Sequence, residues 1–459
     1  MLWKSSLFTT GMGIPLLLLG IFCHCPKGLA QGQMLKSPST GEIQDRAGTE
    51  ALLDGGVLTL QKAIALALDY NPDLKASSWE ERAMEGRILQ AGLLPNPEIE
   101  VETEDIGGSG VLSGFNAAET TIQLNQLIEL GGKRAKRSAS ATLTRDLARW
   151  DYHIRRADVL ARVAIAFVDV LSAQERLVLM KELLHLAEEV FNTTSERVKA
   201  GKVSPVEEIK SRVERAARQI DLKQAAFDLQ AARRRLSGNW GAAAPQFQEA
   251  RGDLDALAPI PPLDTLETLI SQNPDVARWT VTIHQRIAEI ELEKARGIPD
   301  LTVSLGAKHH NEMDDTAFVM GVSIPIPLFN RNQGATLEAR DRLSQAREEA
   351  RAVQWSVVNT LAETYQSLSK ALMEATALQN EVLPGARAAF GATREGYRLG
   401  KFDYLDMLDA QRTLVAARLR HMESLTAYHQ ARVRMERLIG MNMEEITPGT
   451  GIKEDGENS

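Results

Sequence analysis

The chain is written twice. Asn71-Pro72-Asp73 recurs as Asn273-Pro274-Asp275, and the periodic stretch that follows ends at Pro97 in one copy and Pro299 in the other, both pairs 202 residues apart. Gly201-Lys202 is echoed by Gly400-Lys401, and Arg235-Leu236-Ser237-Gly238 by Arg437-Leu438-Ile439-Gly440. A large unit used twice implies structural work shared by both halves, not one asymmetric active site. The copies span 58–240 and 263–442, with a linker at 241–262 and flexible segments at 31–57 and 443–459. Each copy reads in the same order: a helix broken at its Asn-Pro, two short alternating strands, and a long helical hairpin at 133–238 or 331–440.

The strands carry the membrane question. In Glu98-Ile99-Glu100-Val101-Glu102-Thr103-Glu104 every second residue is acidic, a period of two with one polar and one apolar face. The same alternation marks 117–126, 300–310 and 316–326, where Ile122 and Leu124, then Leu301, Val303 and Leu305, then Phe318, Met320, Val322 and Ile324 share the apolar phase. Segments of about nine to eleven residues with this pattern suit a tilted strand crossing an outer membrane. A small soluble sheet is the bland alternative. Four strands cannot close a barrel, which needs about eight at the small end. Lipid forbids an open sheet edge. Strands in a membrane would therefore force several chains to share one barrel.

The helices are too long for a compact core. A heptad seam begins Val159, Val163, Ala166, Val170, and its counterpart runs Val358, Leu361, Tyr365, Leu368, Leu372, Ala375, Gln379, Val382, Ala386, Ala389. A helix over 133–200 would extend ~100 Å, and the return arm at 204–236 about half that, at ~1.5 Å per residue. Stacking the first helix of each copy end-on with the return arm would match the long one.

The N-terminus reads as a secretory signal over 1–30: Lys4, an apolar run at 11–22, and Gly28-Leu29-Ala30 before the cut. Cys23 and Cys25 leave with it, so the mature chain has neither disulfides nor thiolate ligands. Lipidation at Cys23 is the rival reading, opposed by Phe22 where processing wants a small residue. No later run of eighteen apolar residues exists to make a spanning helix. A net charge of −8 argues against nucleic acid. No phosphate loop, nucleophile elbow or His-Glu-x-x-His is present, so no enzyme, cofactor or resident metal is expected.

Two motifs are recognisable. Ile128-Glu129-Leu130-Gly131-Gly132-Lys133-Arg134 and Pro325-Ile326-Pro327-Leu328-Phe329-Asn330-Arg331-Asn332-Gln333-Gly334 resemble those of TolC-type outer-membrane efflux proteins, most closely the heavy-metal (CzcC-type) branch. The resemblance covers nearly all of the mature chain. It implies a mainly α fold with a transmembrane β part: a homotrimer in which each protomer gives four strands to a twelve-stranded barrel, continued by a helical tunnel through the periplasm of a Gram-negative bacterium. The implied partners are outer-membrane lipid, a periplasmic adaptor and an inner-membrane pump of the resistance-nodulation-division (RND) type. Heavy-metal cations are the implied cargo. Drug efflux or type I protein secretion is the alternative, and a soluble periplasmic coiled-coil scaffold is a third reading.

The hairpin tips hold the candidate residues. Asp406 and Asp409 sit three apart on one helix face and match the family's pattern of aspartates at the tunnel entrance. Capping from Asp403 would explain Asp406 but not Asp409. Glu207 either belongs to the same gate or closes a capping box with Ser204. Gly201, Lys202, Ser204, Gly400, Lys401 and Asp403 are the positions that would meet the adaptor. Glu98, Glu100, Glu102 and Glu104 would face the barrel lumen as an acidic field or as an ordinary wet face. His309 and His310, beside Glu312, Asp314 and Asp315, lack metal-ligand spacing. Lys133, Arg134, Lys136 and Arg137 read as a solvated helix start or a contact with anionic headgroups.

Overall fold

A computed structural model describes residues 56–446. The signal peptide, the lipidation question and the ends of the chain beyond these residues lie outside them. The first copy runs β1 (Val57–Thr59), α1 (Leu60–Tyr70), α2 (Pro72–Ala91), β2 (Glu98–Glu104), β3 (Glu119–Ile128), α3 (Lys133–Lys199) and α4 (Pro205–Gly238). After β4 (Glu249–Arg251) the second runs α5 (Leu263–Thr268), α6 (Pro274–Arg296), β5 (Leu301–His310), β6 (Asp315–Ser323), α7 (Gln333–Ala377), α8 (Leu383–Arg398) and α9 (Tyr404–Ile439). The 67 residues of α3 make a rod of ~100 Å at ~1.5 Å per residue.

The duplicated Asn-Pro-Asp has a physical reason. Asn71 accepts from the Leu74 N–H at 3.1 Å, capping α2, while Pro72 fills the first helical position, where a missing N–H costs nothing. The amide of Asn71 then donates to the Asn239 carbonyl at 2.6 Å, at the end of α4. Asn273 does the same, capping on the Asp275 N–H and donating to the Leu438 carbonyl at 2.8 Å. Each asparagine thus fastens the short helix end-on to the return arm of its own copy. Arg437 completes the second junction, reaching Asp158 on α3 and Asp275 at 2.8 Å each.

Three stretches depart from the sequence reading. The linker at 241–262 and the end of the 31–57 segment pair as a two-stranded parallel sheet, β1 with β4, so Val57 and residues 249–251 are ordered structure. Phe247, Ala250 and Leu254 bury beside Leu58 and Leu236. Residues 443–445, read as part of the flexible end, form a 3₁₀ turn with Met443 buried. The second seam also slips. A π turn at Leu378–Val382 precedes Pro384, which has no N–H for the fourth residue back. The extra residue rotates the buried face, so Leu378, Leu383, Ala386 and Phe390 are buried while Gln379, Val382 and Ala389 face outward.

The four long strands form one antiparallel sheet in the order β2-β3-β5-β6, leaving β2 and β6 as open edges. Its apolar face is bare: Phe318 is 94% exposed, Met320 79% and Ile99 75%. Among the described residues no helix is long and apolar enough to cross a membrane.

Candidate tunnel gate and barrel face

Both hairpins turn at their tips by the same device. Gly201 takes φ 66° and Gly400 φ 75°, the left-handed region that side chains resist. The Lys202 N–H donates to the Arg197 carbonyl and the Lys401 N–H to the Gly396 carbonyl, at 2.9 and 2.8 Å, closing six-residue caps. A side chain at Gly396 would collide with the Phe402 ring. Gly201, Lys202, Ser204, Gly400, Lys401 and Asp403 are all exposed.

The return arms start differently. Asp403 accepts from the Asp406 N–H at 2.9 Å and Asp406 accepts from the Asp403 N–H at 3.3 Å, a complete reciprocal box on α9. Ser204 accepts only from the Val206 N–H, at 3.2 Å, and the Glu207 carboxylate does not return to it. The capping box read at 204–207 is therefore not formed: Ser204 is a plain N-cap, and the Glu207 N–H donates to the Ser204 backbone carbonyl. The Glu207 Oε2 is shielded from solvent with no hydrogen-bond partner. Burial pushes the Tyr404 hydroxyl up to about 12, and the nearby carboxylates of Glu214 and Glu207 add to that.

Asp406 and Asp409 lie together on the exposed side of α9, lining a groove against Ala386, Ala389 and Thr393 of α8. Asp409 has neither hydrogen bond nor ion pair among the described residues, so capping leaves it unexplained. Tyr404, the neighbour of Glu207, belongs to the buried side of the same helix. One protomer thus brings Asp406 and Asp409 together on one groove, whose lining does not include Glu207.

Sequence reasoning missed what joins the two tips. The Tyr397 hydroxyl meets Thr194 Oγ1 at 3.1 Å, the Arg197 guanidinium donates to the Tyr397 carbonyl at 2.9 Å, and the same guanidinium stacks 4.5 Å from the ring centre. Thr194 is fully buried and Tyr397 nearly so. Higher up, Arg418 pairs with Glu182 at 2.6 Å and Gln430 donates to Asp169 at 2.7 Å, both linking α9 to α3. The available signal was that Tyr397 and Arg197 stand three and four residues before the duplicated Gly-Lys, one at each tip.

The sheet sorts its side chains by register. Glu98, Glu100, Glu102 and Glu104 stand on one face opposite Asn125, Gln123, Thr121 and Glu119 of β3. Glu100 accepts from Gln123 and Asn125 at 2.6 and 2.8 Å, and Glu104 is joined to Lys308 at 3.2 Å. His309 and His310 point to opposite faces, toward Thr316 and Glu119 respectively. No trio of His, Cys, Asp or Glu side chains among the described residues could hold a metal ion.

At the foot of the sheet the basic run is structural, which corrects its reading as a solvated helix start. Arg134 donates to the Gly92 carbonyl at 2.7 Å and Arg137 to that of Ala91 at 2.8 Å, satisfying the orphan end of α2. Arg137 also grips Glu129 at 2.6 Å and Lys133 meets Asp300 at 2.7 Å, crossing from one copy to the other. The Arg137 guanidinium holds the Glu129 carboxyl below its usual range. These contacts fix the angle at which the strands leave the helices.

An open-edged sheet with a bare apolar face, standing on rods of this length, is the protomer of an outer-membrane channel of TolC-like fold. Residues 63–242 and 265–441, one stretch in each copy, match the outer membrane efflux protein family, and the chain belongs to that family. It is 40% identical over 420 residues to the cobalt-zinc-cadmium resistance protein CzcC of Cupriavidus metallidurans, covering 90% of this chain and 98% of the relative. The nickel and cobalt resistance protein CnrC of the same organism is 28% identical over 66% of this chain and 72% of its own length. Among solved structures, CusC superposes with a TM-score of 0.71 over 85% of this chain and 93% of CusC, at 18% identity. The MtrE outer membrane channel of Neisseria gonorrhoeae, in its open state, gives 0.66 at 19% identity, over 84% and 89% of the two chains.

Proposed function

We propose that this chain is the outer-membrane duct of a tripartite heavy-metal efflux system. It conducts cations passively, delivered by an inner-membrane RND-type pump through a periplasmic adaptor. Three copies share a twelve-stranded barrel, each contributing β2, β3, β5 and β6, and their helices enclose the tunnel below.

One observation carries this reading: a four-stranded sheet with two open edges and an exposed apolar face, in a chain 40% identical to a cobalt-zinc-cadmium resistance protein. Burying a large apolar side chain is worth about 1.5–3 kcal/mol, so Phe318, Met320, Val322, Ile99, Val101 and Leu305 call for lipid on that face. The edges call for neighbouring strands, because lipid cannot satisfy a free backbone N–H.

The gate lies at the tips. Asp406 and Asp409, repeated three-fold, set six carboxylates around the mouth, and their summed field draws cations in. Glu207, whose Oε2 is shielded from solvent and unpartnered among the described residues, is the third candidate carboxylate of the gate. Gly201, Lys202, Ser204, Gly400, Lys401 and Asp403 form the rim that meets the adaptor, with Lys202 and Lys401 as its exposed positive charges. Charge reversal at both lysines should abolish export while oligomers still form.

The test of the cargo is the metal sensitivity of a deletion strain across zinc, cobalt, cadmium, nickel, copper and silver, beside a few dyes and antibiotics. Sensitivity confined to metals supports the reading and names the ion. Sensitivity to dyes alone overturns the cargo and keeps the duct.

A further inference from the structure

The polar face of the sheet is built in rows. Glu104, Glu119, His310 and Asp315 stand in one register row across β2, β3, β5 and β6, and Glu102, Thr121, Lys308 and Ala317 in the next. These rows lie at the end of the sheet farthest from the helices, because β2 runs outward from α2. Glu98, Glu100, Glu102, Glu104, Glu119 and Asp315 put six carboxylates on the face, against a single Lys or Arg in all four strands, Lys308.

Lys308 does not reach for solvent. Its side chain, 24% exposed, crosses to Glu104 at 3.2 Å and lies directly on the Glu119 carboxylate, bridging β5 to β3 and β2. Glu119 is also engaged by His310 Nδ1 at 2.8 Å. Glu104 and Glu119 are direct cross-strand partners, and like charges so placed repel. The ammonium occupies the place between them that a mobile cation would otherwise take.

We propose that Lys308 is a tethered counter-cation that keeps the outermost carboxylate row from trapping the exported ion, so that it sets both cation selectivity and ease of release. A conducting path must attract an ion and then let it go. With Lys308 in place, the Glu104–Glu119 pair contributes to the field but offers a divalent cation no vacant pair of carboxylates. With the ammonium removed, the pair becomes a binding station repeated in every protomer. The inference rests on the sheet's polar face being the lumen of the proposed duct.

The test uses the full-length protein from outer membranes in planar bilayers, with zinc chloride added on the extracellular side. Lys308→Gln should lower the zinc concentration for half-block by about tenfold and raise the cation-to-anion permeability ratio, as expected for removing a close, partly screened charge. Lys308→Arg should behave as wild type. Glu104→Gln, which keeps the lysine, should move selectivity the opposite way. If Lys308→Gln fails to assemble, Glu104→Gln and Glu119→Gln decide. Their block and selectivity matching wild type would overturn the proposal, as would a conducting Lys308→Gln channel blocked at the wild-type zinc concentration. Lower heat stability in Lys308→Gln with unchanged block would reduce Lys308 to a structural tie. A wild-type protein that never conducts refutes the duct, and this inference with it.

Discussion

Asn71→Asp separates the two roles that the duplicated motif combines. Aspartate caps a helix as well as asparagine does, so the bond from the Leu74 N–H survives. The donor to the Asn239 carbonyl does not. A carboxylate oxygen would then face a carbonyl oxygen at a junction where Asn71 is 3% exposed. Losing a buried hydrogen bond and leaving its acceptor unpaired costs about 1–3 kcal/mol. Asn71→Ala loses the cap as well, adding about 1 kcal/mol. The place to read this is local, by hydrogen exchange at residues 60–80 and 232–242 in detergent. A loss of about 2 kcal/mol in local opening free energy accelerates exchange about thirtyfold, provided exchange occurs through that opening. Asn71→Ala should exceed it, while Lys199 and the tips exchange as in wild type. If Asn71→Asp exchanges like wild type and Asn71→Ala shows only the cap's share, the motif is a helix cap and the end-on tie contributes nothing.

Asp406→Ala together with Asp409→Ala should raise single-channel conductance and weaken block by multivalent cations; unchanged conductance refutes the gate. Tyr397→Phe removes the hydroxyl from a buried Thr194 and should loosen the two tips by about 1–3 kcal/mol, seen as faster proteolysis of residues 195–210 and 395–405 with the oligomer intact. His429 lies half-buried, its Nε2 2.8 Å from the Leu254 carbonyl, and desolvation holds its imidazole below the ordinary 6.5. The unfolded chain therefore binds the proton more readily, so its contribution to stability is full above that value and lost as pH falls below it. The melting temperature should drop between about pH 7 and 5, and His429→Gln should flatten the slope; an equally steep slope in the variant refutes the assignment.

What the sequence disclosed were features with a period or a repeat. Alternation in Glu98–Glu104 marked a strand with two unlike faces, and the heptad from Val159 marked a rod. Those and the duplication gave the order of elements, and the resemblance carried by residues 128–134 and 325–334 supplied the TolC-like architecture. Features without a period stayed hidden. A three-residue strand such as β4 has no alternation to read, and its pairing with β1 is made by residues 192 positions apart. Pro384 was visible, but the heptad template ran over it, so the π turn and the shifted seam were missed. The tip carboxylates could be found by spacing. The shielding of the Glu207 carboxylate could not, because spacing does not tell a capping glutamate from one shielded from solvent. The role of Arg137 was hidden too, because its partner at the end of α2, the Ala91 carbonyl, lies 46 residues away in the chain.

The most direct measurement is the mass of the protein extracted from outer membranes in mild detergent, taken together with its conductance in a planar bilayer. The account predicts a trimer that dissociates on heating and conducts cations in preference to anions. A monomer that stays soluble without detergent and carries no current would contradict it.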